Sequence, residues 1–231
     1  MYNDITGVIL SGGKSSRMGI NESFLKLGDM TIIEHIIKLM KSNFGELLLI
    51  TNSPSEYSSF QLPMYEDIYK WNIPLAGIHS GLYYSRTESI FVISCDVPLM
   101  TTEMIQYIVD YKSEKPIKFC VAAGYHQPLV GVYNKELIPE IEKFFSINSV
   151  NDKSFHQFLK NVAAEIIIPE DLSFYRDEIF FNVNKPKDYE SILEKYEEAI
   201  VKLKQSDNEL TIIWIFGVSV EKLSRGELFS S

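Results

Sequence analysis

A chain of 231 residues with 45% hydrophobic and 23% charged residues has the make-up of an ordinary globular protein, long enough for one full core. Its net charge of −9, without a cluster of Lys or Arg, argues against a nucleic-acid or anionic-membrane partner, yet leaves room for a phosphorylated ligand held by a few local donors. The N-terminus enters a strand-like run without a basic leader, and the longest apolar run, near Leu210 to Val220, is too short to span a bilayer. The protein is therefore expected to be cytoplasmic, with Cys95 and Cys120 as small buried hydrophobes in a reducing compartment.

Apolar runs and helix-period segments alternate along the chain. "TGVIL" (Thr6 to Leu10) reads as a fully buried strand. In "TIIEHIIKLMKS", Ile33, Ile36, Ile37 and Met40 fall on one helical face, and Thr31 and Glu34 have the spacing of a capping box. A strand over Glu46 to Thr51, a helix over Leu75 to Tyr84 and a strand over Ser89 to Asp96 follow. Further on come a helix near Glu103 to Tyr111, the strands "IKFCVAAG" and "QPLVGVYN", and a helix from Lys135 to Phe145. "EIIIP" and "IFFNVN" are candidates for a last pair of strands, and Pro186 to Lys204 for a charged amphipathic helix.

This order predicts an α/β fold, a Rossmann-like, mostly parallel sheet with helices on both faces, built from right-handed crossovers. In such sheets ligands bind beyond the carboxyl ends of the strands, which places the residues after "GVIL", "LLLIT" and "FVISCD" on one rim. Residues 1–204 are expected to form this domain. Residues 205–231, a polar linker and the run "LTIIWIFGVSV", read as an interface strand, an extra edge or the start of a second domain.

The loop after the first strand is "LSGGKSSRMG", Leu10 to Gly19. Adjacent glycines let the backbone turn sharply and approach a ligand. The amides of Ser11, Gly12 and Gly13 are placed to point at phosphate oxygens, with Lys14 and Arg17 supplying positive charge. Two common phosphate motifs fail: a Walker A loop needs glycine where Val8 stands, and a dinucleotide fingerprint needs one where Lys14 stands.

The segment closely resembles the signature of the molybdenum cofactor guanylyltransferases and related nucleotidyltransferases. "PLAGIHSGL" (Pro74 to Leu82), "SCDVPLM" (Ser94 to Met100) and "FNVNKPKDYE" (Phe181 to Glu190) follow in matching order, so the likeness spans roughly residues 5 to 195. It implies a fold of the nucleotide-diphospho-sugar transferase type, and transfer of GMP from GTP to a molybdopterin-type cofactor with release of pyrophosphate. CTP or another NTP, with a different phosphorylated acceptor, is the alternative. Arg17 and Asp96 are the implied catalytic residues. Leu10, Ser11, Gly12, Gly13, Lys14, Arg17, Asn52, Asp67 and Asp96 are the implied GTP contacts, with Asp96 holding Mg²⁺ and Asn182 and Asn184 meeting the acceptor. A homodimer or a molybdoenzyme chaperone as partner is likewise implied by the resemblance.

Without it, Asp96 reads as a carboxylate at a strand end, suited to a hard cation, and Asn52 and Asp67 as turn residues. Asn182 and Asn184 alternate across Val183 and would share one strand face. His79, His126 and His156 have no identifiable catalytic partner and read as packing or surface residues. The sequence departs from the family at Glu22, which aligns with a triphosphate-binding lysine and puts an anion beside a polyanionic ligand. A catalytically weakened nucleotide- or cofactor-binding protein is therefore a further reading.

Overall fold

The computed structural model describes residues 1–12, 21–147 and 154–205, with side chains in the final helix described to residue 196. The strands are β1 (Tyr2–Leu10), β2 (Lys26–Leu27), β3 (Met30–Thr31), β4 (Phe44–Ile50), β5 (Met64–Tyr65), β6 (Ser89–Ser94), β7 (Ile117–Ala122), β8 (Tyr125–Asn134) and β9 (Ala164–Ile167). The helices are α1 (Ile32–Asn43), α2 (Pro74–Tyr84), α3 (Thr102–Asp110), α4 (Leu137–Ile147), α5 (Phe155–Leu159) and α6 (Pro186–Gln205). Seven strands form one sheet in the order β5-β4-β1-β6-β8-β7-β9, and β2 and β3 form a separate ribbon.

The first four strands of that order are parallel, β8 runs against both β6 and β7, and β9 is parallel to β7. From β1 the chain moves outward through β4 to β5, then α2 carries it back to β6 on the other side of β1. This reversal beside β1 is where an open α/β sheet leaves a crevice at its carboxyl rim. The predicted pairing of "EIIIP" with "IFFNVN" does not form. The first becomes β9 on β7, whereas Asp177–Phe180 is a 3₁₀ turn whose carbonyl at Glu178 takes the amide of Phe181.

Both sheet faces are covered, which explains the continuous apolar strands. Along β1, Ile9 enters a core formed with α1 and α3, whereas Val8 and Leu10 enter one formed with α2 and α4. Helix α1 starts at the predicted capping box: the Glu34 amide donates to Thr31 Oγ1 and the Thr31 amide to Glu34 Oε2. Its predicted apolar face, Ile33, Ile36, Ile37 and Met40, is buried. Helix α2 is buried nearly all round and lies close on β1 through two glycines one turn apart. A Cβ at Gly81 would come within 2.9 Å of Val8 Cγ1, and one at Gly77 within 3.2 Å of Leu10 Cδ2.

No helix among the described residues is long and apolar enough to cross a membrane. The run from Leu210 to Val220 lies outside the described residues.

Candidate active site on the carboxyl rim of the sheet

Four strand ends set out the predicted polar residues in a row. Asp67 lies two residues past β5, Asn52 two past β4, Ser11 and Gly12 directly after β1, and Asp96 two past β6. Adjacent strands stand about 4.8 Å apart, so Asp67 to Asp96 covers three spacings, about 14 Å. The rim is stitched by main-chain bonds. Ser11 donates its amide to Ile50 O (2.9 Å), Thr51 to Tyr65 O (2.9 Å), and Cys95 to Leu10 O (3.0 Å). Leu10 is in register with both Ile50 and Ser94, so the loop after β1 and Asp96 emerge on the same edge.

At the β5 end, Asn52 Nδ2 donates to Asp67 Oδ2 at 2.8 Å, and the Asp67 amide returns a bond to Asn52 Oδ1 at 3.2 Å. Lys70 Nζ donates to the same Asn52 oxygen at 3.3 Å and pairs with Glu66. Asp67 is 8% exposed, and burial raises its carboxyl pKa while the bond from Asn52 opposes the rise. Its second oxygen faces α2, where a Cβ at Gly77 would sit 3.6 Å from Oδ1.

At the β1 end, the expectation for Ser11 needs correcting. Its amide is committed to the sheet through Ile50, and its hydroxyl donates to Tyr57 at 2.5 Å in a site only 4% exposed. Ser11 therefore offers a phosphate neither of these donors. Gly12 is exposed, and a Cβ there would meet no atom of the described residues within 4 Å. Gly13, Lys14 and Arg17 lie outside the described residues.

At the β6 end, Asp96 Oδ1 is buried and has no hydrogen-bond partner among the described residues. Burial raises the carboxyl pKa, the Ser94 hydroxyl opposes this, and the negative charge of Glu22 raises it further. Glu22 opens a 3₁₀ turn, Glu22–Phe24, capped by Asn21 through the Ser23 amide. The neighbouring thiol of Cys95 is pushed up to about 11, first by burial and then by Asp96. Among the described residues, a buried carboxylate oxygen without a partner beside a second negative charge is an environment of hard ligands that suits a divalent cation such as Mg²⁺. No group of three or more His, Cys, Asp or Glu among the described residues could hold a metal. A cation here would complete its shell with water and phosphate oxygens.

The segment expected to meet an acceptor reaches the same place by a different route. The Val183 amide donates to the Asp96 carbonyl oxygen at 2.9 Å, and the Val183 side chain is buried. Asn182 and Asn184 are not on a strand. Asn182 is half-buried with Nδ2 donating to Phe180 O (3.0 Å), and Asn184 is exposed with its amide on Asp188 Oδ2 (3.0 Å). Among the described residues, the bond from Val183 to Asp96 is the main-chain bond that ties this stretch to the sheet.

His79 is a buried residue of α2, its Nε2 3.2 Å from Glu142 Oε1 and its ring edge-on to Tyr69. Burial lowers its pKa. His126 and His156 stack on each other at the surface with ring centroids 5.5 Å apart. Sequence reasoning missed Tyr57, from the 3₁₀ segment Pro54–Phe60, whose hydroxyl lies among Ser11, Asn21 and Ser23. An isolated tyrosine in a polar stretch carries no signal that it returns to a loop more than 30 residues earlier.

Comparison with known proteins agrees with this architecture. Residues 7–164 match the family model described as the MobA-like NTP transferase domain. A relative from Carboxydothermus hydrogenoformans, named "Probable molybdenum cofactor guanylyltransferase", is 36% identical over 196 residues, covering 82% of this chain and 95% of the relative. Among solved structures, the Aq1419 protein of Aquifex aeolicus is similar with a TM-score of 0.66 and 27% identity, covering 78% of this chain and 93% of the other. Molybdopterin-guanine dinucleotide biosynthesis protein A of Archaeoglobus fulgidus shares the fold, with a TM-score of 0.67 at 20% identity over 86% of this chain and all of the other. A family model covering most of the chain, a relative at this level of identity and a rim laid out for a nucleotide agree: the chain belongs to the MobA-like NTP transferase family and is a nucleotidyltransferase.

Proposed function

We propose that the protein transfers GMP from GTP to a molybdopterin-type cofactor and releases pyrophosphate. The observation that carries this reading is the row from Asp67 and Asn52, past the end of β1, to Asp96 on one rim. That row spans three strand spacings, about 14 Å, which leaves room for the base and the polyphosphate at separate ends. The base belongs at the Asp67 end. A carboxylate accepts two hydrogen bonds, which matches the paired N–H donors on the Watson–Crick edge of guanine and opposes the acceptor-rich edge of cytosine. Asn52 fixes the rotamer of that carboxylate, so the acceptor is oriented before the base arrives.

The triphosphate lies over the loop after β1, where Gly12, Gly13, Lys14 and Arg17 supply main-chain donors and positive charge. Mg²⁺ held at Asp96 would neutralise phosphate charge during the transfer. The acceptor's terminal phosphate oxygen attacks the α-phosphorus in line, the new P–O bond forms as the bond to the β-phosphate oxygen breaks, and pyrophosphate leaves with the electron pair. An ionised phosphate needs no general base, which fits a rim without a catalytic histidine. Asn182 and Asn184 hold the acceptor, placed near Asp96 by the Val183 bond.

Pyrophosphate release measured with Mg²⁺, molybdopterin and either GTP or CTP tests this reading. Turnover with GTP well above CTP is expected. Equal or greater turnover with CTP would move the assignment to a sister nucleotidyltransferase, and binding of GTP without release would leave a binding protein.

A further inference from the structure

The hydroxyl of Tyr57 occupies a position that the proposed reaction does not by itself explain. The residue is 1% exposed, and its ring sits against Phe24 (centroids 5.1 Å apart) and Phe60 (6.3 Å). Apolar packing alone would account for a phenylalanine there. The hydroxyl instead accepts from Ser11 Oγ at 2.5 Å and from Asn21 Nδ2 at 2.8 Å, and donates to Ser23 Oγ at 3.4 Å. Ser23 Oγ in turn donates to Cys95 Sγ at 3.0 Å. The same Asn21 Nδ2 also donates to Glu56 Oε2 at 2.9 Å. One buried hydroxyl thus uses its proton and both lone pairs on groups from two separate stretches of chain.

Those groups flank the nucleotide rim. Ser11 is the last residue of the β1 edge before Gly12. Asn21 and Ser23 frame Glu22, whose charge reaches Asp96, and Cys95 adjoins Asp96. We propose that Tyr57 is a positioning residue: its hydroxyl, through Ser11 on one side and Ser23 and Cys95 on the other, fixes the β1 edge relative to the carboxylate after β6. This rests on the nucleotidyltransferase reading above and adds to it a residue that touches no reactant. A buried, fully satisfied polar network of this kind specifies one arrangement of its members, because a half-made set in low dielectric is costly.

Tyr57→Phe keeps the ring and removes only the hub. The expected result is a rise of about tenfold in the Kd and KM for GTP, measured with Mg²⁺ well below the melting temperature, with the KM for molybdopterin unchanged. Ile141→Val, a core trim in α4 that leaves the hydrogen-bond network intact, serves as the stability control and is expected to leave both KM values at the wild-type level. If Tyr57→Phe does not fold, Asn21→Ala removes one arm from a partly exposed position and is expected to raise the GTP KM about threefold. The proposal is overturned if Tyr57→Phe, or in its place Asn21→Ala, binds GTP within twofold of wild type, or if Ile141→Val raises the GTP KM equally. Wild-type protein that fails to bind GTP at all would instead remove the reading on which the proposal stands.

Discussion

The two carboxylates at the ends of the rim differ in company. Asp67 is closed in by a reciprocal pair of bonds with Asn52, with Lys70 on the same asparagine. Asp96 has one buried oxygen with no partner among the described residues, and Glu22 adds a like charge. On the proposed reading the first is set to receive hydrogen-bond donors and the second to receive a cation, so recognition and charge neutralisation should fail separately.

The largest effect is expected at the Asp96 end. Asp96→Asn should lower kcat/KM by at least about a thousandfold. It should also abolish the Mg²⁺-dependent gain in melting temperature expected of wild-type protein with GTP, followed by calorimetry. A variant that keeps both would break the comparison outright. Next is Asp67→Asn, expected to reduce the GTP-to-CTP preference in kcat/KM by about ten- to a hundredfold while leaving Mg²⁺ dependence intact.

The same variant carries a pH signature. Asp67 has a folded-state pKa above its unfolded value, so the stability it contributes is present below the unfolded pKa and lost as pH rises through the folded one. Asp67→Asn should accordingly melt higher than wild type at neutral pH, with the gap closing in acid. An unchanged gap from pH 7 down to pH 3 would contradict that sign.

Glu22→Lys is a smaller step, expected to lower the GTP KM about tenfold by exchanging an anion for a cation near the triphosphate. A rise in KM would show that Glu22 serves the site as it stands. Smallest is Gly77→Ala. Its Cβ would crowd Leu10 and approach Asp67 Oδ1, so GTP affinity should fall about two- to threefold with Mn²⁺ binding, followed by electron paramagnetic resonance, unmoved.

What was readable in the sequence follows from range. The cap of α1, its apolar face and the buried parallel strands are set by neighbours within a few residues or by simple periodicity, and each appears as expected. The shared rim followed from one rule about parallel sheets. What escaped depends on pairings between distant segments. Ser11 looked like a phosphate donor because its loop is glycine-rich, but the parallel partner β4 takes its amide and Tyr57, 46 residues on, takes its hydroxyl. Asn182 and Asn184 looked like strand residues because they alternate with a valine, but the chain leaves a 3₁₀ turn just before them and joins no strand among the described residues, Val183 bonding instead to the Asp96 carbonyl. The segment "PLAGIHSGL" read only as a match to the family; both of its glycines, Gly77 and Gly81, lie where α2 packs on β1.

The bond from the Val183 amide to the Asp96 carbonyl has one more consequence. It joins peptide to peptide, so almost any side chain on either segment can change without breaking it, proline at 183 being the exception. The distance between the two segments is thereby written into the backbone, and exchanges of side chains on either one should leave it unchanged.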